Sequence, residues 1–290
     1  MKKFLSLVLA LVMTMSLVTV SAGAKDFTDD SEITYKEAVD VISALGVVDG
    51  YSGGDFKPTE VLTRGAAAKI ICNLILGPTT ASALSASSAP FKDVPVSNTF
   101  AGYITYCAQE KIINGYSDGT FRPTATLSGN AFMKMLLGAL GYDATYEGYT
   151  GGNWSINVAK QAIGIGLNKG LVDEFNGVDQ VTREEAALYA FNTLKATMVD
   201  YDQKITTNVN GVDVTISQGN AKPVTWTEGI NEDGNIKDDD FVQFAEEFFP
   251  KLVRKDDNDK FMAPANTWVF DKSEIGTYER TDLIVETYTE

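Results

Sequence analysis

Apolar residues recur at helical spacing, in paired blocks, along the first two thirds of the chain. Tyr35, Ala38, Val39, Ile42 and Leu45 fall at i, i+3, i+4, i+7 and i+10, which predicts one face of a helix. After a loop, Ala67, Ile70, Ile71 and Leu74 make a second stripe. The next pair is Tyr103, Ile104, Cys107 and Ala108, then Phe132, Leu136, Ala139 and Leu140. The last pair is Ala159, Ala162, Ile163 and Gly166, then Ala187, Ala190, Phe191, Leu194 and Met198. Two short helices cannot bury their apolar faces alone, but three helix–loop–helix pairs packed together can. From Tyr201 the period changes. Residues 204–209 and 212–216 flank Asn210-Gly211, a strong hairpin signal. Residues 240–249 predict a short helix stopped by Pro250, and 267–270 and 282–288 predict strands. The expected fold is mainly α, followed by a β-rich C-terminal module.

The paired blocks are copies of one another. The run from Gly50 to Pro58 aligns with the run from Gly115 to Pro123, with Tyr51, Phe56 and Pro58 matching Tyr116, Phe121 and Pro123. Upstream, Phe27-Thr28-Asp29 matches Phe91-Lys92-Asp93. The third copy keeps Lys169 to Val172 and Val181-Thr182-Arg183 but has lost the Gly-Tyr-x-x-Gly-x-Phe segment. In the loop, glycines at 115 and 119 supply positive φ, Asp118 favours a turn, and the prolines stop the chain before the next helix. That helix starts at Thr63, Ser128 or Thr182, all N-cap types, and Thr182 with Glu185 makes a capping box.

The N-terminus reads as an export signal. Lys2 and Lys3 precede an uncharged apolar run at 4–20, and Ala22-Gly23-Ala24 offers a cleavage site after Ala24. The run is short for a membrane anchor, so no span is expected after its removal. Among 290 residues, 39 are acidic, 24 are basic and none is histidine, for a net charge of −15. The missing histidine excludes Ser-His-Asp and Cys-His catalysis and imidazole-ligated metals. The acid excess argues against duplex nucleic acid as a partner. Two cysteines, Cys72 and Cys107, do not make a disulfide scaffold, and a buried thiol is the preferred reading. The expected divisions are 1–24 signal peptide, 25–77 first repeat, 78–90 a Ser/Ala-rich flexible linker, 91–145 second repeat, 146–200 third repeat, and 201–290 an acidic β-rich region. In that last region, acidic clusters at 232–233, 238–240 and 256–259 could hold calcium, but none has EF-hand spacing. A solvated acidic surface is favoured there, and no other cofactor is expected.

Together, Phe91-Lys92-Asp93-Val94, the Gly115-to-Pro123 loop, Leu62-Thr63-Arg64 and Val181-Thr182-Arg183-Glu184-Glu185 resemble the S-layer homology (SLH) domain family. The resemblance covers residues 27 to about 198. It implies a pseudo-threefold helical bundle whose grooves hold an acidic, often pyruvylated, cell-wall polysaccharide, so that the protein is anchored non-covalently to a bacterial wall. For an S-layer component, other subunits of the layer would be further partners. The resemblance carries a ligand-contact role to Arg64 and Arg183, and not to the second copy, where Gly129 stands in the arginine position.

The residues support the same expectation by themselves. An arginine at a helix start sits beside orphan backbone N–H groups and can grip a carboxylate through two parallel hydrogen bonds. Tyr51, Tyr116 and Trp154 could stack on sugar rings, with core packing as the alternative. The candidate site therefore comprises Arg64, Arg183, Thr63, Thr182, Tyr51, Tyr116 and Trp154, with no catalytic and no metal-binding residue. The competing readings are a wall-anchored carbohydrate hydrolase using paired carboxylates, for which the tail frames no such pair, and a purely structural module that binds no glycan.

Overall fold

The structure, a computed structural model, describes residues 24–201, 205–209, 212–216, 219–226, 235–237, 239–280 and 283. The apolar leader, the Asn210-Gly211 turn, the acids at 232, 233 and 238, and the strand expected at 282–288 except Leu283 lie outside the described residues. Three helix pairs follow in order: α1 (Lys36–Ala44) with α2 (Arg64–Ser82), α3 (Ala101–Gln109) with α4 (Gly129–Ala139), and α5 (Trp154–Gly164) with α6 (Arg183–Leu194). The apolar stripes of α1, α2, α4 and α6 face one continuous core. The stripe on α5 is displaced from its expected face. Val158, Ala162 and Leu167 are buried, while Ile163 is 47% exposed. The core-facing pair is i, i+4, and Ile163 lies one step round the helix from it.

The second helix of each pair starts in the same way. The side chains of Thr63, Ser128 and Thr182 accept from the backbone N–H three residues on, and Thr182 with Glu185 forms the full capping box. Each preceding residue joins a closed ring of backbone hydrogen bonds. Leu62 N–H donates to Val181 O at 2.9 Å, Val181 N–H to Leu127 O at 3.0 Å, and Leu127 N–H to Leu62 O at 3.0 Å. The helices are thus stitched together at their starts by backbone groups of equivalent positions.

The loops are built on an aromatic pair and one carboxylate. Phe27 packs on Phe56 and Phe91 on Phe121, with ring centroids 5.2 and 5.4 Å apart. Asp29 accepts from Phe56 and Lys57 N–H at 2.8 and 2.7 Å, and Asp93 accepts from Phe121 and Arg122 N–H, both at 2.7 Å. These bonds hold Lys57 and Arg122 at φ +57° and +59°, an uncommon backbone for non-glycine residues. Gly119 has φ +82° as expected for the turn. Gly115 is needed for another reason: a Cβ there would lie 2.4 Å from the Phe91 ring.

The expected connector begins later than position 78. A kink at Gly77 is followed by a helical turn through Ser82, with Ala81 in the core. The C-terminal part contains two short antiparallel pairs, β1 (Val199–Asp200) with β4 (Lys222–Pro223) and β2 (Ile205–Val209) with β3 (Val212–Ile216). A short helix, α7 (Phe244–Phe248), precedes an antiparallel sheet β5-β6-β7 (Leu252–Asn258, Pro264–Phe270, Ser273–Glu279). The sheet sits against the helices. Trp268 is fully buried, meets Phe191 edge-on at 5.2 Å, and donates from its indole nitrogen to Glu37 at 2.6 Å. Tyr278 donates to the buried Asp40 at 2.7 Å, and Lys36 pairs with the same carboxylate at 2.8 Å.

Candidate functional site

The helix-start arginines do not offer bare helix N-termini. In α2, the Arg64 and Gly65 N–H groups donate to Ala125 O and Pro123 O at 2.9 and 2.8 Å, and Ala66 N–H donates to Thr63 Oγ1. In α6, Arg183 and Glu184 N–H donate to Glu60 O and Pro58 O at 2.9 and 3.0 Å. The first-turn amides are therefore satisfied by the neighbouring repeat's loop, and the expected anion site at those amides is absent. Thr63 and Thr182 act as caps. What remains for an anion is the guanidinium itself.

Each guanidinium is held rigidly. Arg64 Nε donates to Phe121 O at 2.8 Å and its Nη2 to Asn114 O at 3.2 Å. Arg183 repeats this with Phe56 O at 2.8 Å and Asp49 O at 2.9 Å. Each also lies over two rings of the same loop: Arg64 over Phe121 and Tyr116 at 4.4 and 5.1 Å, Arg183 over Tyr51 and Phe56 at 4.8 and 4.9 Å. A second cation covers each tyrosine, Arg122 on Tyr116 at 4.1 Å and Lys57 on Tyr51 at 4.2 Å. Tyr51 and Tyr116 are thus surface rings, 39% and 43% exposed, rather than core. Among the described residues no carboxylate forms an ion pair with Arg64 or Arg183, so their remaining N–H donors have no acidic partner.

At the junction of the first and second repeats this cassette borders a cavity of about 440 Å³. Its walls are Arg64, the 112–116 strand of loop, Tyr116 and Phe121, the start of α4 with Ser128 and Lys134, and Tyr149 and Trp154 from the start of the third repeat. No carboxylate lines it. Lys134 Nζ stands 5.7 Å from the centre of the Trp154 ring. Burial, reinforced by the charge of Arg64, pushes the Lys134 ammonium below its ordinary pKa. Burial, with Arg122 nearby, does the same to Arg64 against the opposing influence of Tyr116 and Asp93. Burial leaves both cations less stable than in water, and an anion between them would offset that for both. The Tyr149 hydroxyl is buried in the same wall without a hydrogen-bond partner.

The junction of the second and third repeats differs. Gly129 N–H and Asn130 N–H still donate to the third repeat's loop, to Asp179 O and Gly177 O at 2.9 and 2.8 Å. Phe175 lies where the arginine would project: a Cβ on Gly129 would be 3.2 Å from its ring. The remaining cavity is about 130 Å³ and is lined by Asp173, Glu174, Asp179 and Glu185. The structure thus brings Arg64, Tyr116 and Trp154 into one groove with Thr63 at its edge as a cap, and places Arg183, Tyr51 and Thr182 at the junction of the third and first repeats. It adds Lys134 and Tyr149, which sequence reasoning missed. Lys134 is the one charged residue in α4 and falls in register with Lys69 of the first repeat, and that match was its available signal.

Residues 26–68 and 90–129 match the family described as S-layer homology domain. Those two segments are S-layer homology repeats. The third repeat lies outside the two matched segments, as its shortened loop would lead one to expect. A surface layer protein of Brevibacillus choshinensis is 26% identical over 173 residues, 59% of this chain and 15% of its own length. A middle cell wall protein of Brevibacillus brevis is 25% identical over 152 residues, 51% of this chain and 14% of its own. A cellulosome-anchoring protein of Acetivibrio thermocellus is 41% identical over 83 residues, 29% of this chain and 18% of its own. The chain therefore spans less than a fifth of the length of these relatives. This SLH protein is secreted and belongs to the cell wall or S-layer. No helix among its described residues is long and apolar enough to cross a membrane, and no cluster of three or more Asp, Glu or Cys residues there could hold a metal ion.

Proposed function

We propose that the protein is held at the cell wall by an acidic, pyruvylated polysaccharide bound between its SLH repeats, and that this role is not enzymatic. The repeats at 25–77, 91–145 and 146–200 would form a pseudo-threefold unit, with a connector after Ser82 and the region 201–290 packed against the repeats. The ring of hydrogen bonds through Leu62, Leu127 and Val181 supports that symmetry. The observation that carries the binding reading is the pair of partly buried cations, Arg64 and Lys134, in a 440 Å³ groove without a carboxylate in its walls. Arg64 would grip a carboxylate with its remaining donors and Lys134 would act as a point charge. Tyr116 and Trp154 would carry sugar faces, and the Tyr149 hydroxyl would meet a ligand oxygen. Arg183 with Tyr51 would form a second, weaker site at the junction of the third and first repeats. The junction at Gly129 would bind no anion, because its pocket is small and acidic.

Co-sedimentation of the mature chain with wall sacculi, before and after mild acid removes the secondary polymer, tests this. Binding is expected to disappear with the polymer. Retention on stripped sacculi, or no binding to intact ones, would leave the repeats with a purely structural role.

A further inference from the structure

Cys72 on α2 and Cys107 on α3 meet where the first repeat packs on the second. Their Sγ atoms lie 3.5 Å apart, and both residues are fully buried as thiols. They are the chain's two cysteines, so mispairing within one molecule cannot occur. We propose that the exported chain closes Cys72 and Cys107 into a disulfide that clamps the first repeat to the second. The sulfurs need to approach by about 1.5 Å to reach bonding distance, within reach of small movements of two facing side chains. The location outside the cell supplies an oxidising setting that a cytosolic protein lacks.

The chemistry balances with a small-molecule or protein disulfide as oxidant. One cysteine, as thiolate, attacks a sulfur of that disulfide, forms a mixed disulfide and releases one thiolate. The second cysteine then attacks the first and expels the other thiolate. The pair loses two electrons and two protons, and the oxidant becomes two thiols. Exchange takes place before the helices pack. Once α2 and α3 are together, the contact with the Cys107 sulfur, and after it burial, raise the Cys72 pKa, and the thiolate needed for attack is scarce. The redox state reached during folding is therefore kept.

The bond would also bear on the groove. Helix α2 begins at Arg64, and the chain leaving α3 runs into the 112–116 wall that Arg64 grips at Asn114 O. A link between the helices fixes the two walls relative to each other.

The test refolds the mature chain from reduced, denatured protein, once in a glutathione redox buffer and once in excess reductant. Remaining thiols are trapped with iodoacetamide in denaturant, and the intact mass is read. The redox buffer is expected to give a species with no alkyl adduct, two hydrogens lighter than the dithiol and resistant to dithiothreitol until denaturant is added. Because it closes a loop of 35 residues, it should melt about 5–10 °C above the reduced form. Two adducts on protein with native circular dichroism would overturn the proposal. So would a cross-linked form melting no higher than the reduced one. Cys107→Ser, refolded in the same buffer, should lack the cross-linked mass and the higher melting point.

Discussion

Lys134 shows what a single side chain can decide. It has no acidic partner among the described residues, it is partly buried, and its ammonium is made less stable by Arg64 across the groove. A group in that state gains more from a bound anion than an exposed lysine does, because its desolvation is already in place. Replacing it with methionine keeps the volume and removes the charge. Lys134→Met is expected to weaken sacculus binding by roughly 10-fold and to reduce the salt dependence, as one lost charge contact of about 1–2 kcal/mol would. Arg64→Ala should weaken binding more, by about 10- to 100-fold, since it removes a bidentate donor and leaves Phe121 O and Asn114 O without their side-chain donor. Binding isotherms at two salt concentrations check both. Equal binding by Lys134→Met and the parent would place the ligand elsewhere. Arg64 and Arg183 were legible in the sequence because they repeat in register. Lys134 was not, although it matches Lys69 of the first repeat in register, because its significance depends on which helix faces which loop.

At the scale of the element, the loop and the helix start act as one unit across repeats. The carboxylates of Asp29 and Asp93 each tie down two backbone N–H groups of the loop. Burial alone would raise their pKa values, but those donors outweigh it and hold both carboxyls below the ordinary range. A carboxyl whose pKa is lowered on folding stabilises the fold above its unfolded pKa, near about 3.9, and loses that contribution as pH falls through the folded value. The melting temperature of the parent should therefore drop below about pH 4, and a Asp29→Asn/Asp93→Asn variant should start lower at neutral pH and respond less in that window. Melting curves from pH 2.5 to 7 measure this, and parallel curves would remove the loop carboxylates from the explanation. The glycines separate two mechanisms. Gly115→Ala should cost about 1–3 kcal/mol by overpacking against Phe91. Gly119→Ala should cost about 1 kcal/mol through its positive φ instead. The turn chemistry was legible at Gly119, Asp118 and the three N-caps, since these are local preferences. The role of Gly115 was not, because its neighbour Phe91 is brought in by the fold.

For the whole molecule, the repeats and the C-terminal sheet share a core. The texture change at Tyr201 suggests a separable module, and the apolar periodicity of the repeats was enough to place their helices. Neither could reveal that α1 carries Glu37 and Asp40 as acceptors for side chains more than 200 residues away. Strands β5 and β7 were also missed. β5 runs through Asp256 and Asp257, which read as a solvated acidic cluster, and its pairing with β6 is what makes that segment extended. The joint has a measurable consequence. Trp268 fills a space against Phe191 and satisfies Glu37, so Trp268→Ala opens a cavity and leaves a carboxylate with one fewer donor. It should cost about 3–5 kcal/mol. A chain ending at residue 200 loses the whole cover of α1 and α6 and should melt lower, expose apolar surface to a hydrophobic dye, and bind sacculi less well than the full mature chain, although every groove residue is present. Trp268→Phe separates the terms: it keeps most of the packing, loses the bond to Glu37, and should cost about 1–2 kcal/mol. If the chain ending at 200 melts and binds like the full mature chain, the C-terminal sheet is not part of the repeats' stability and the contacts at Trp268 and Tyr278 contribute little to it.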